Sequence, residues 1–111
     1  MTDFSKYDVV VVKFPFASSL KYKARPAVII SSPTYNQTSR NSLLILAISS
    51  QTENKLSMEA YVHDWKEAGL LKPSIFKSSV ATIEKDVILT RLGTLSKKDA
   101  EQLELMLSGM C

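Results

Sequence analysis

The sequence is poor in the residues that build metal and redox sites. It holds one cysteine, Cys111, and one histidine, His63. A single thiol cannot form an intrachain disulfide, so a reducing compartment, the cytoplasm, is expected. One His and one Cys also fall short of the nitrogen and sulfur sets that hold zinc, and neither a metal nor another cofactor is expected. Histidine acid–base chemistry would rest on His63 alone, which reads more readily as a structural or surface residue. Cys111, a lone terminal thiol, reads as incidental. Long apolar runs are missing too. No window approaches the roughly 18 apolar residues of a membrane-spanning helix, and the opening Met-Thr-Asp-Phe-Ser-Lys lacks the apolar stretch of a signal peptide. There is no internal repeat and no low-complexity run.

What is present is the composition of an ordinary globular domain: 111 residues, 45% hydrophobic and 23% charged. That length suits a single domain over residues 1–111 with one real core. The net charge of +3 is a mild basic bias that suits a polyanionic partner without requiring one.

Asp8-Val9-Val10-Val11-Val12-Lys13-Phe14 is dense in β-branched residues and reads as a central strand ended by Pro15. Phe16 to Lys23 is a polar connection to a second strand, making a hairpin with a basic tip. Lys21, Tyr22 and Lys23 set cations beside an aromatic ring there. That suits a nucleotide chain, with its phosphates and stackable bases, although a solvated loop would look the same. Pro33 to Asn41 is turn-rich. Ser42 to Ile48 is a further apolar run, and it exits through Ser49-Ser50-Gln51-Thr52, where a rigid strand end meets solvent.

Glu59 to His63 reads as a short edge strand, followed by Asp64 as the N-cap of one helical turn, Trp65 to Ala68, closed by Gly69. Trp65, Leu70 and Leu71 are expected to plug the core or support an interface. Pro73 to Ala81 and Asp86 to Leu92 are two more strands, with Thr82 to Lys85 turning between them. Ser96-Lys97-Lys98-Asp99 has capping-box spacing, and Ala100, Leu103 and Leu107 carry a helical period that ends at Gly109. Five or six strands and a C-terminal helix predict a mainly β fold, a small, strongly bent sheet closed into a barrel.

One stretch puts a charge where the chain should bury apolar surface. Ala24-Arg25-Pro26 leads straight into Ala27-Val28-Ile29-Ile30, a run long enough for a strand covered on both faces. Proline fixes its own φ and pushes the preceding residue into an extended conformation, so Arg25 sits on a restrained backbone. Such an arginine offers a planar, permanently charged fork to a phosphate or carboxylate. Taken alone, it reads more readily as a solvated edge arginine.

The order of features decides between these. Tyr7-Asp8-Val9-Val10-Val11-Val12, then Phe14-Pro15-Phe16, Arg25-Pro26-Ala27-Val28-Ile29-Ile30 and Ala47-Ile48-Ser49-Ser50-Gln51 resemble the MazF/PemK toxins of bacterial toxin–antitoxin pairs. Gly69-Leu70-Leu71-Lys72-Pro73-Ser74, Ala81-Thr82-Ile83-Glu84-Lys85 and Leu92-Gly93-Thr94-Leu95-Ser96 continue the resemblance over nearly the whole chain. It implies an SH3-like barrel with a C-terminal helix, and a homodimer. It also implies a metal-independent, sequence-specific endoribonuclease acting on single-stranded RNA. The implied partners are a cognate antitoxin and, for the toxin–antitoxin complex, operator DNA. Carried over by residue, the family's catalytic arginine falls on Arg25 and its catalytic threonine on Ser49. The RNA-contacting candidates are Lys21, Tyr22, Lys23, Ser50, Gln51, Lys77, Ser79 and Thr82.

The chain also departs from that pattern. Tyr7 stands where many members carry a glycine, and Ser18-Ser19 where the following loop has glycines. Some members have a second functional arginine before the threonine of the last turn, and here that position is Ala81. Ala81 motivates an alternative reading, a weakened or inactive member that binds antitoxin and nucleic acid without cutting.

Overall fold

The computed structural model describes residues 4–15, 22–32, 35 and 41–110, with the main chain alone for residues 14, 15, 22 and 23. Among these, six strands form one antiparallel sheet: β1 (Asp8–Pro15), β2 (Tyr22–Ile29), β3 (Ser42–Ser49), β4 (Ala60–Val62), β5 (Ser74–Glu84) and β6 (Ile88–Thr94). Their order across the sheet is β4-β5-β3-β2-β1-β6, and a single helix, α1 (Lys97–Met110), follows β6. The fold is mainly β, a curled half-barrel of the SH3-like kind that the sequence predicts. Among the described residues no helix is long and apolar enough to cross a membrane.

The continuous apolar runs become the central strands because both of their faces are covered. Val9, Val28 and Leu46 lie in register across β1, β2 and β3 and pack with Phe76 and with Leu103 and Met106 of α1. Their neighbours point the other way. Val10, Val12, Ala27, Ile29, Leu43 and Ile45 form a second core, closed by Phe4, Ile83 and Ile88 as the sheet folds back on itself. The curl has local causes: the register shifts twice between β1 and β6 and once between β3 and β5, and such bulges bend a strand. Each fully buried Val, Ile or Leu contributes about 1.5–3 kcal/mol, against roughly 0–1 for an exposed ion pair, so the two cores hold the fold.

Several boundaries differ from expectation for identifiable reasons. β2 starts at Tyr22 because Tyr22 and Lys23 pair with Pro15 and Phe14, lengthening the hairpin. Thr82, Ile83 and Glu84 belong to β5 rather than to a turn. β3 offers them partners in Leu44, Leu43 and Ser42, and Ile83 packs on the second core. The turn falls at Lys85–Val87 instead. Gly109 lies inside α1, since nothing there requires a left-handed residue and the helix runs on to Met110.

The capping box at Ser96 is only half formed. Ser96 Oγ accepts the Asp99 N–H at 3.3 Å, but the Asp99 carboxylate does not reach back to the cap. Fully buried, it accepts the N–H groups of His63 and Asp64 at 2.9 and 2.8 Å, tying α1 to the chain beyond β4. Asp64, expected as an N-cap, instead receives the Ser96 hydroxyl at 2.6 Å. The turn it precedes closes as predicted at Gly69. The Leu70 N–H donates to Trp65 O at 2.9 Å and the Gly69 N–H to Lys66 O at 3.0 Å, with Gly69 at φ +85°. Leu70 and Trp65 join the first core, whereas Leu71 is 93% exposed and plugs nothing.

Tyr7, just before β1, has φ +76°. The left-handed region costs a side-chain-bearing residue roughly 1–2 kcal/mol, and local bonds hold it there. The Tyr7 N–H donates to Ile29 O and its carbonyl accepts the Leu95 N–H, while its hydroxyl donates to Glu104 on α1. Lys6 bonds the same Glu104 at 2.7 Å, and these two donors hold the Glu104 carboxyl below its ordinary pKa.

Candidate active site

Arg25 and Ser49 come to the same end of the sheet because β2 and β3 are antiparallel. The paired residues run Ile29–Ile45, Val28–Leu46 and Ala27–Ala47. Arg25 and Ser49 each lie two residues beyond the last of these pairs, on the same side of the ladder's end. The ladder stops one residue short of Pro26, which has no N–H to extend it, while β2 stays paired to β1 through Val11–Pro26 and Val12–Arg25. Where that ladder ends, a cleft of about 430 Å³ opens, and both Arg25 and Ser49 line it.

Four segments build the walls. Val11, Ala24, Arg25 and Pro26 come from the hairpin strands, and Ile48 to Gln51 from the end of β3. Gly69 to Lys72 with Ser74 supply the third wall, and Leu92 of β6 the fourth. The third and fourth meet backbone to backbone. A Cβ on Gly69 would lie 2.7 Å from Leu92 C and collide with Leu92 O, and one on Gly93 would lie 2.8 Å from Ala68 O. Two glycines thus set the distance between these walls.

Ser49 Oγ accepts the Gln51 N–H at 3.1 Å, which fixes the hydroxyl at the cleft. Arg25 is exposed and extended on β2. Ser50 and Gln51 also line the cleft. Lys72 lines it as well, although it was no sequence candidate. Its carbonyl accepts the buried Ser74 hydroxyl at 2.9 Å, and Pro73 restrains it from the other side. The signal was present in the sequence: Lys72-Pro73 ahead of β5 repeats the cation–proline pattern of Arg25-Pro26 in β2. Among the lining residues there are two cations, Arg25 and Lys72, and no carboxylate.

The other candidates lie elsewhere. Lys21 falls outside the described residues, as do Ser18, Ser19 and Cys111. Tyr22 and Lys23 sit on β2 just upstream of Arg25, paired with Pro15 and Phe14. Lys77, Ser79 and Thr82 are on β5 and do not line the cleft. Lys77 faces the buried Glu59 at 3.4 Å. Burial pushes the Glu59 carboxyl up, but the Leu56 and Ser78 N–H groups, the Ser78 hydroxyl and the Lys77 ammonium outweigh it and hold the pKa at about 2. That bracket fastens the 56–59 loop to β5. Ala81 packs against the second core opposite Ile45, also away from the cleft. His63 borders a different concavity with Lys55, Tyr61 and Met106. Among the described residues no three His, Cys, Asp or Glu side chains gather to hold a metal ion.

Residues 5–110 match the family of PemK-like, MazF-like toxins of type II toxin–antitoxin systems. The chain belongs to that family. No curated protein sequence matches this toxin. Solved structures with the same fold include an endoribonuclease in complex with its cognate antitoxin from a mycobacterial species. It superposes with a TM-score of 0.75 at 14% identity, over 99% of this chain and 94% of that one. The Mycobacterium tuberculosis toxin MazF-mt6 superposes with a TM-score of 0.72 at 18% identity, over 93% of this toxin and 94% of its own chain.

Proposed function

We propose that this toxin is an endoribonuclease that cuts single-stranded RNA at short sequences without a metal, and that a cognate antitoxin neutralises it. The observation that supports the reading is that Arg25 and Ser49 both line one open cleft, with Lys72 as a second cation. Family membership and the structural neighbour described as an endoribonuclease in complex with its cognate antitoxin support it.

The residues suit the chemistry. When a ribose 2′-oxygen attacks the adjacent phosphorus, the bond to the 5′-oxygen breaks and negative charge gathers on the non-bridging oxygens. A guanidinium fork stabilises that charge more than it stabilises the ground state. Arg25 is assigned this role; its pKa, above about 12, makes it a poor proton acceptor. Ser49, its oxygen already accepting the Gln51 N–H, points its own proton toward a phosphate oxygen and orients it. Ser50 and Gln51 contact the RNA beside the scissile bond, and Lys21, Tyr22 and Lys23 bind it further along. A homodimer, operator-DNA binding by the toxin–antitoxin complex and a cytoplasmic location complete the reading.

The test is cleavage of a long single-stranded RNA by purified protein in EDTA, with Arg25→Ala and Ser49→Ala beside the native chain. Loss of one aimed donor of this kind costs about 100- to 1000-fold in rate, and Arg25→Ala is expected in that range. Native-like rates in the folded Arg25→Ala variant would overturn the assignment. A folded native chain that binds RNA and yields no product would instead identify a binding module that has lost cleavage.

A further inference from the structure

The cleft has a second cation whose position the proposed chemistry does not use. Arg25 can serve the scissile phosphate, yet a single-stranded RNA crossing a 430 Å³ cleft brings a neighbouring phosphate with it. Ala81 carries no charge, is packed on the second core, and cannot meet that phosphate. Lys72 lines the cleft on the wall facing β2 and β3. Its carbonyl is held by the buried Ser74 hydroxyl and its backbone is restrained by Pro73, so the ammonium is presented from a fixed base. Lys72 is exposed, and no carboxylate lines the cleft beside it. Beside Lys72, Leu71 stands 93% exposed, an apolar surface next to a charge.

We infer that Lys72 binds the RNA phosphate next to the scissile one and so positions the strand across Arg25 and Ser49. The inference rests on the proposed RNA reading, and its test separates the two. Each phosphate contact to a single strand contributes about 0.7 to the slope of log affinity against log salt. A contact made purely by counterion release has no effect near 1 M salt. Lys72→Ala is therefore expected to weaken binding about eight-fold in 50 mM salt and about three-fold in 200 mM. Lys72→Arg keeps the charge and restores the slope. Lys97, exposed at the start of α1 and outside the cleft, is the control; Lys97→Ala leaves the slope unchanged.

The probe is a labelled mixed-sequence RNA carrying 2′-O-methyl groups, which lacks the attacking hydroxyl and stays intact. Binding is measured from 50 mM to 1 M monovalent salt in EDTA, and cleavage of unmodified RNA is followed in parallel. In the cleavage assay the Lys72→Ala defect is expected in KM, with kcat little changed. If the native chain cuts RNA and Lys72→Ala binds with the native slope, the inference falls while the ribonuclease reading stands. Equal losses in Lys72→Ala and Lys97→Ala would also overturn it, because general charge would then explain the binding. A native chain that neither binds nor cuts RNA overturns both.

Discussion

Gly69→Ala is the substitution that most directly tests how the cleft is built. Gly69 sits at φ +85°, where an alanine loses roughly 1–2 kcal/mol. Its Cβ would fall 2.7 Å from Leu92 C and 2.9 Å from Leu92 Cβ, and the Leu92 carbonyl oxygen is closer still. These obstacles are mostly backbone in a paired strand, so relief requires moving β6 or the 69–72 segment, at about 1–3 kcal/mol for overpacking of this kind. Reduced freedom of the unfolded chain returns about 0.4–1 kcal/mol. The net expectation is a loss of about 2–4 kcal/mol, which for a domain of this size lowers Tm by roughly 8–16 °C. Gly109→Ala is the internal control. It lies in α1 with nothing within 4 Å of its Cβ, and should be neutral or stabilising by up to about 1 kcal/mol. Urea and thermal denaturation followed by circular dichroism read both. A Gly69→Ala midpoint equal to the native one would refute the backbone contact between the 69–72 wall and β6. Because that contact sets the width of the cleft, cleavage by the still-folded variant should fall as well.

Other outcomes follow from buried acids. Glu59 has its pKa held at about 2, below its ordinary 4.5, so its contribution to stability is complete above about pH 4.5 and is lost as the pH falls toward 2. Glu59→Gln should be less stable at neutral pH and show a flatter acid limb in urea midpoints from pH 5 to 2.5; parallel acid limbs would refute the bracket. Asp99→Asn replaces one of two carboxylate oxygens facing the His63 and Asp64 N–H groups with another donor. A loss of about 2–3 kcal/mol in equilibrium denaturation is expected. Glu101→Gln, on the exposed face of α1, should change stability by less than about 0.5 kcal/mol.

The strands that carry the site were legible in the chain itself. Unbroken runs such as Val9-Val10-Val11-Val12 and Leu43-Leu44-Ile45-Leu46 have one economical solution, burial on both faces at the centre of a sheet. Arg25 before Pro26, and Ser49 at the exit of its strand, could be singled out because local backbone chemistry and strand ends leave marks in sequence. Gly69 was equally readable, since a left-handed helix end calls for glycine. Contacts between distant segments leave no such mark. Nothing near Asp99 in sequence says that its carboxylate will forgo its own helix cap for two N–H groups more than thirty residues away. Lys77 looked like a spare cation until β4 and β5 brought Glu59 beside it. The extension of β5 through Thr82 was decided by the free hydrogen-bonding edge of β3, not by the turn-like composition of residues 82–85.

The sequence by itself determined the mainly β architecture and the C-terminal helix, because apolar runs, proline and glycine act over a few residues. Tertiary structure alone decided which cations share the cleft. Lys72 reaches it because the Gly69 turn packs against the backbone of Leu92, and Lys77 and Ala81 are excluded because β5 carries them elsewhere. Charge is read from composition, but which cations line one cleft depends on how antiparallel strands and backbone contacts bring distant segments together.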